Sequence, residues 1–423
     1  MEAGIVLLLL FFFAFLRVPI AISLALSSVI GLWLVDFSID TVIQKMFTGV
    51  NSTTLMAIPG FVFAGLIMAN GGISKYLISC IQAWIGHTRG GLSVVTVITC
   101  MIFAAISGSS PATAAAIGAI MIPMMVKAGY DKRYSMGLVA AAGTLGILLP
   151  PSIPLILYGS VSEQSTGRLF SAGILPGILL GLTLIAYAVF VAYRKGYGGL
   201  EKVPLKDRWM PTLKATWGLI MPVLILGSIY TGIVTPTEAS FIAVLYSLIV
   251  SVVVYKELSI KKFNSILLES INTTAMIFLI IAAALVFGMF LTTEQVPQDF
   301  ASWVSDSGFN KWTFLLIVSI LFFILGMFLE PTAIILITLP IFLPIIATLD
   351  IDVIHFAIIM VVNMELGMIT PPVGLNLFVV SGITEEKVEK VIRGVIPFFA
   401  IFVVVLILIV IFPDISLYLT DIL

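Results

Sequence analysis

The sequence predicts an all-α polytopic membrane protein built as inverted repeats with two re-entrant hairpins and two broken helices. Three observations predict it. The 423 residues are 60% hydrophobic and 10% charged, with a mean hydropathy of +1.20, whereas an average soluble domain is about 25% charged. Motifs recur at an offset of 221 residues, as from Asn51 to Asn272 and from Thr53 to Thr274. Proline or clustered hydroxyl residues interrupt four otherwise apolar stretches, within a chain carrying 34 Gly and 20 Pro. Such breaks are tolerated in membranes only where they are buried in protein or line a cavity.

The balance of 21 Lys+Arg against 22 Asp+Glu leaves no excess of positive charge, which excludes nucleic acid as a partner. Cys80 and Cys100 form no motif and read as buried apolar residues. His87 and His355 lie far apart, so neither a zinc site nor a histidine relay is expected. The N-terminus, MEAGIVLLLL, has no basic region ahead of its apolar run and reads as a first span rather than a cleaved signal.

Apolar runs place spans at 3–16, 18–35, 55–70, 135–161, 173–193, 217–234, 238–255, 268–291, 354–383 and 396–412. The stretches 92–126 and 313–348 are broken at SGSSPAT (107–113) and LEPTA (329–333). Each is predicted to enter and return as two half-helices of about 16 residues. With the N-terminus outside, 18 of the 21 basic residues fall inside, Arg17 among them; only Lys45, Arg168 and Lys311 fall outside. Residues 71–91 and 292–312 read as interfacial amphipathic arms, and 194–216 as a polar cytoplasmic linker. Each half holds five spans, an odd number, so the second half lies inverted with respect to the first. The expected organisation is fixed parts at 1–70 and 217–291 and moving parts at 92–193 and 313–423. Interrupted helices in inverted repeats are transporter architecture.

Chemistry is expected at the four breaks. Ser110 and Pro111 begin the returning arm of the first hairpin, where free backbone N–H groups and the positive helix end suit an anion. Ser109, Ser110, Thr113 and Ser152 from the first half, with Glu330, Thr332 and Asn376 from the second, are the candidate substrate contacts. Pro150-Pro151 and Pro371-Pro372 cannot continue a helix. The carbonyls they free, with neighbouring hydroxyls, make an oxygen-only environment suited to Na⁺. The candidate Na⁺ residues are Ser107, Gly108, Ser109, Gly143, Thr144 and Gly146, and in the second half Pro331, Thr332, Glu365, Gly367 and Thr370. Glu330 and Glu365 are the two carboxylates well inside predicted membrane segments, each a functional candidate because burying its charge is costly. Glu330 can meet a hydroxylated substrate or a cation; Glu365 can steady Na⁺, carry a proton, or serve the structure alone.

The runs SGSSPATAAAIGAIMIPMM, GTLGILLPPSIPLILYG, FLEPTAIILITLPIFLPI and ELGMITPPVGLNLFVVSG resemble the large membrane subunit of the tripartite ATP-independent periplasmic (TRAP) transporters. The resemblance spans essentially the whole chain. It implies an elevator-type, Na⁺-coupled importer of organic-acid anions in a bacterial inner membrane. It also implies two partners, a small membrane (Q) subunit, expected as a separate chain, and a periplasmic substrate-binding (P) protein. The stretch LILYGSVSEQSTGRLF at 155–170 is similar to the sialic-acid branch, with C4-dicarboxylates the second expectation. Two other readings are a stand-alone ion or dicarboxylate transporter and an intramembrane enzyme. The first would work without partners; the second needs a nucleophile–base pair or metal cluster at depth.

Overall fold

The structure is a computed structural model and describes residues 2–16 and 18–422. Arg17, one of the basic residues assigned to the inside, lies outside the described residues. All regular structure among the described residues is helical. The first half runs α1 (Glu2–Phe15), α2 (Ile20–Leu34), α3 (Ile39–Val50), α4 (Ala57–Asn70), α5 (Ile73–Ile85), α6 (Gly91–Ser107) and α7 (Ser110–Lys127). It ends with α8 (Lys132–Gly143), a 3-10 turn (Thr144–Ile147), α9 (Ile153–Ser162) and α10 (Thr166–Lys195). The second half runs α11 (Leu205–Tyr230), α12 (Pro236–Ile249) with a π-helical end, α13 (Ile260–Thr293), α14 (Val296–Asp306), α15 (Lys311–Phe328) and α16 (Pro331–Thr348). It closes with α17 (Val353–Met368), α18 (Leu375–Thr384) and α19 (Val388–Ile411).

The repeat is visible in these boundaries. Moving α7 forward by 221 residues reproduces the limits of α16, and moving α8 reproduces the start of α17. A large difference is that α3 and α4, separated by 51–56, correspond to the single 34-residue α13. Among the described residues eight helices are long and apolar enough to cross a bilayer, and α4 with α5 makes a ninth if taken as one span bent by 61°.

The hairpins lie where the interruptions predicted them, α6–α7 and α15–α16. Gly108 ends α6 in the left-handed conformation (φ 59°) that glycine adopts without strain. Its position also leaves no room for a side chain, because a Cβ would lie 2.7 Å from the Pro151 carbonyl oxygen. The second hairpin turns on Leu329 and Glu330, with Pro331 at the first helical position. The arms are longer than the predicted half-helices. Each has 17 or 18 residues, about 26–27 Å. The length fits because α8 and its 3-10 turn, packed beside α7, also run about 26 Å before their break.

Two other expectations are corrected. The segment read as a linker is mostly helix: α10 continues to Lys195 and α11 starts at Leu205, leaving 196–204 between them. Pro204 precedes the first turn, Asp207 lies within it, and Arg208 is buried with its guanidinium over the Trp84 ring at 5.5 Å. Charge there marked helix snorkelling at an interface rather than a loop. The amphipathic α3, with Asp40 in its first turn, was not expected at all.

Packing puts the broken helices in the middle. Every residue of α17 from Ile354 to Met368 is buried, as is α8 from Tyr134 to Gly143. A helix apolar on all faces belongs inside. The outer helices α10, α11, α13 and α19 instead expose large apolar side chains such as Leu182, Trp217, Leu279 and Val404, as lipid-facing surfaces do.

Candidate functional site

The two hairpin tips and the two breaks converge on one cavity of about 660 Å³. Ser107, Gly108, Ser109 and Ser110 line it from the first tip, and Glu330, Pro331 and Thr332 from the second. Ile147, Ile153 and Pro154 bring in the first break, and Met368, Val373 and Leu375 the second. Backbone hydrogen bonds tie each tip to its break: Ile153 N donates to Gly108 O at 3.5 Å, and Val373 N and Gly374 N donate to Met327 O at 3.2 and 3.1 Å. Both Pro150-Pro151 and Pro371-Pro372 are cis.

At the first tip the oxygens crowd together. Thr113 Oγ1 donates to Ser109 O at 2.8 Å and lies 2.8 Å from Ser107 Oγ, which is 3.3 Å from the same carbonyl. Gly146 approaches from the break so closely that a Cβ there would lie 2.6 Å from Ser109 C and 2.9 Å from Ser110 N. Gly143 meets Ala114 of α7 in the same way. Thr144 Oγ1 donates to Ala141 O at 2.9 Å, and Ser152 caps α9 by accepting from Leu155 N at 3.5 Å.

The second half matches this only in part. Gly367 abuts Gly326 of α15 at backbone distance, and Thr370 Oγ1 donates to Leu366 O at 2.7 Å. Thr332 is the candidate hydroxyl that is both buried and unpartnered among the described residues. It is 3% exposed, and its Oγ1 has no hydrogen-bond partner while lining the cavity. Glu330 stands at the N-cap of α16 without capping it, so its carboxylate is not committed to the helix. Glu365 is fully buried, both its oxygens lack a partner, and it does not line the cavity.

Asn376 lies away from the cavity surface. Its Oδ1 accepts from Ser110 Oγ at 3.0 Å and its Nδ2 donates to Ala140 O at 2.9 Å, so it joins the first tip to α18 and α8. Thr113, Ser152, Gly143, Thr144, Gly146, Gly367 and Thr370 also sit behind the lining. The opposite wall was missed. It comes from Val62, Gly65 and Leu66 of α4 and from Glu269, Thr273, Met276 and Ile277 of α13. Glu269 fell at the edge of the predicted span 268–291, but α13 begins at Ile260, so it lies more than two turns inside the helix. Among the described residues the cavity thus presents two carboxylates, Glu269 and Glu330, and no Lys, Arg or His.

A helical membrane protein with inverted repeats, whose interrupted helices enclose a largely apolar cavity with a few converging hydroxyls and carboxylates, has the architecture of a transporter permease. The chain belongs to the tripartite ATP-independent periplasmic transporter, DctM component, family, whose model matches residues 7–415. It is therefore a multi-pass protein of the bacterial inner membrane and the large permease component of such a system. It is 48% identical over 402 residues to the C4-dicarboxylate TRAP transporter large permease protein DctM of Pseudomonas aeruginosa, covering 94% of each chain. It is 34% identical over 408 residues to the sialic acid TRAP transporter large permease protein SiaM of Vibrio cholerae, covering 96% of each. In fold it is similar to the Alcanivorax borkumensis YdaH transporter, with a TM-score of 0.65 at 15% identity, over 90% of this chain and 88% of that one.

Proposed function

We propose that this permease couples inward movement of Na⁺ to import of an organic-acid anion, with a C4-dicarboxylate ahead of sialic acid. The greater identity to the dicarboxylate permease than to the sialic-acid one supports that order, reversing the one the 155–170 stretch favoured. The observation that carries the coupling is the sign of the cavity. An anion entering a space lined by Glu269 and Glu330, with no basic side chain among the described residues, meets carboxylate repulsion against which the protein sets only the partial positive charge of the helix starts at Ser110 and Pro331. Cations entering with it supply the rest of the compensation. The oxygen cluster at Ser107, Ser109 and Thr113 and the unsatisfied Thr332 hydroxyl are suited to Na⁺, which takes uncharged oxygen ligands.

In this reading α4 and α13 belong to a fixed scaffold, and the hairpins with their broken helices slide past them as an elevator. Each Na⁺ moving down about 100 mV releases about 2.3 kcal/mol; import is electrogenic with two Na⁺ per monovalent anion such as sialic acid, and with three per C4-dicarboxylate dianion. A periplasmic substrate-binding (P) protein delivers the anion and a small membrane (Q) subunit supports the scaffold. The second reading, proton coupling through Glu365, draws on its unpartnered burial.

The test is uptake of radiolabelled succinate and sialic acid into proteoliposomes holding the chain with both partner proteins. Na⁺-driven succinate uptake supports the proposal. Uptake that ignores the Na⁺ gradient but follows a pH gradient selects the proton reading, and uptake without the binding protein removes the tripartite assignment.

A further inference from the structure

A second cavity, of about 360 Å³, opens between α8, α10 and α19, far in sequence from the hairpin tips. Four basic side chains line it, Arg133 at the start of α8, Arg194 and Lys195 at the end of α10, and Arg393 in the first turns of α19. All four belong to the set that the charge bias places on the cytoplasmic side. We propose that this pocket binds the phosphate of an anionic glycerophospholipid from the inner leaflet.

The packing of the helices forces these like charges together. Gly137 of α8 and Gly394 of α19 meet backbone to backbone, and a Cβ on Gly394 would strike the carbonyl oxygen of Arg133. Arg133 and Arg393 are therefore held on facing helices with no spacer between them. Two neighbouring lysines in the sequence have a partner of their own: Lys132 and Lys390 share the Glu386 carboxylate, at 2.8 and 2.6 Å. None of the four pocket cations has an ion pair among the described residues. The one acid in the lining, Asp131, already accepts from Tyr134 N at 3.0 Å as the cap of α8. Four cations against the one carboxylate of Asp131 leave a net charge of +3 in the lining, which calls for an external anion, and guanidinium groups favour phosphate oxygens through paired N–H donors.

The rim decides the source of that phosphate. Phe190, 57% exposed, and the exposed Pro397 border the pocket on outward surfaces of membrane-spanning helices. A phosphate carried on acyl chains can lay them along this flank while its head group sits among the arginines. Basic pockets between membrane helices on the cytoplasmic side are suited to anionic lipid head groups. Because α8, α10 and α19 belong to the part proposed to move, a bound lipid would travel with it or hold it in place.

The test titrates dioleoyl phosphatidylglycerol, dioleoyl phosphatidylcholine and inorganic phosphate separately against the full chain with its small subunit in detergent, reading bound ligand by native mass spectrometry. Saturable binding of phosphatidylglycerol over phosphatidylcholine is expected. Replacing both arginines (R133Q with R393Q) should weaken it by about fivefold per charge removed. The variant R133K with R393K, which keeps the charges and guards against misfolding, should stay within about fivefold of wild type. Removing two charges elsewhere on the same side (K202Q with K206Q) should leave binding unchanged. Wild-type binding by the glutamine variant, or equal loss in the linker variant, overturns the proposal. Saturation by inorganic phosphate with no preference for the lipid overturns the lipid assignment and gives the pocket to a soluble phosphate ester.

Discussion

Thr332→Val separates a ligand-binding hydroxyl from a structural one, because the two roles predict opposite signs. The Thr332 Oγ1 is buried at the start of α16, lines the cavity and has no protein partner. An unsatisfied buried hydroxyl costs about 1–3 kcal/mol. Valine keeps the shape and removes the polar atom, so the ligand-free protein should be as stable as wild type or more so. A bond from this oxygen to a charged ligand is worth about 1.5–3 kcal/mol, so its loss should raise the half-saturating Na⁺ or substrate concentration roughly 10- to 150-fold. Thr338→Val is the control. It lies on the same helix, but its hydroxyl already donates to Ile334 O at 2.7 Å, and the variant should transport normally. The assays are thermal unfolding in detergent and concentration-dependent uptake in proteoliposomes. A Thr332→Val protein that is less stable but transports with unchanged half-saturation would refute the reasoning.

Gly146→Ala drives a methyl into the backbone of Ser109 and Ser110, which overpacking data put at about 1–3 kcal/mol; Na⁺-dependent uptake should fall sharply, while Gly382→Ala, with open space around it, should not change it. Glu386, between α18 and α19, is held down to about 2 by hydrogen bonds from Lys132 and then Lys390. The stability it contributes is fully present above its ordinary value near 4.5 and is lost as pH falls toward 2. Unfolding followed from pH 7 down to 2 should therefore show a slope in wild type below about pH 4.5 that Glu386→Gln flattens, with the two curves approaching one another only as pH nears 2.

Helix breaks were the legible part of this fold, because proline's missing N–H and glycine's freedom act locally. The tips at 108–109 and 329–330 and the interruptions before α9 and α18 follow from those residues alone. The cavity's other wall was not legible. Gly65, Glu269 and Thr273 sit in uninterrupted helices, and nothing local says that α4 and α13 face the tips. Glu269 carried the one usable signal, an acid in a long apolar helix, but it was discounted when the span was started eight residues late. Asn376 shows the complementary limit. Its polarity made it a candidate substrate contact, yet the face it occupies on α18, toward Ser110 and Ala140 and behind the cavity lining, depends on how two distant segments cross.

The two tips have diverged in what they leave unsatisfied, and that difference is testable. In the first, Ser107, Ser110 and Thr113 all have partners inside the protein and Ser110 is locked to Asn376 of the other half, leaving only the part-exposed Ser109 hydroxyl unbonded at the cavity. In the second, Glu330 does not cap its helix and Thr332 has no partner. The first tip is thus held by the fold, whereas the second waits for something to arrive. Removing a bond from the first should show first as instability. Ser110→Ala and Asn376→Ala each break their shared bond, and Asn376→Ala also strands the Ala140 carbonyl, a loss of about 1–3 kcal/mol. Because the pair shares one bond, the double variant should cost less than the sum, by about 0.5–1.5 kcal/mol. If the Ser110 and Asn376 variants instead keep wild-type thermal stability and lose substrate affinity as Thr332→Val should, the division of labour between the halves is wrong and both tips bind cargo directly.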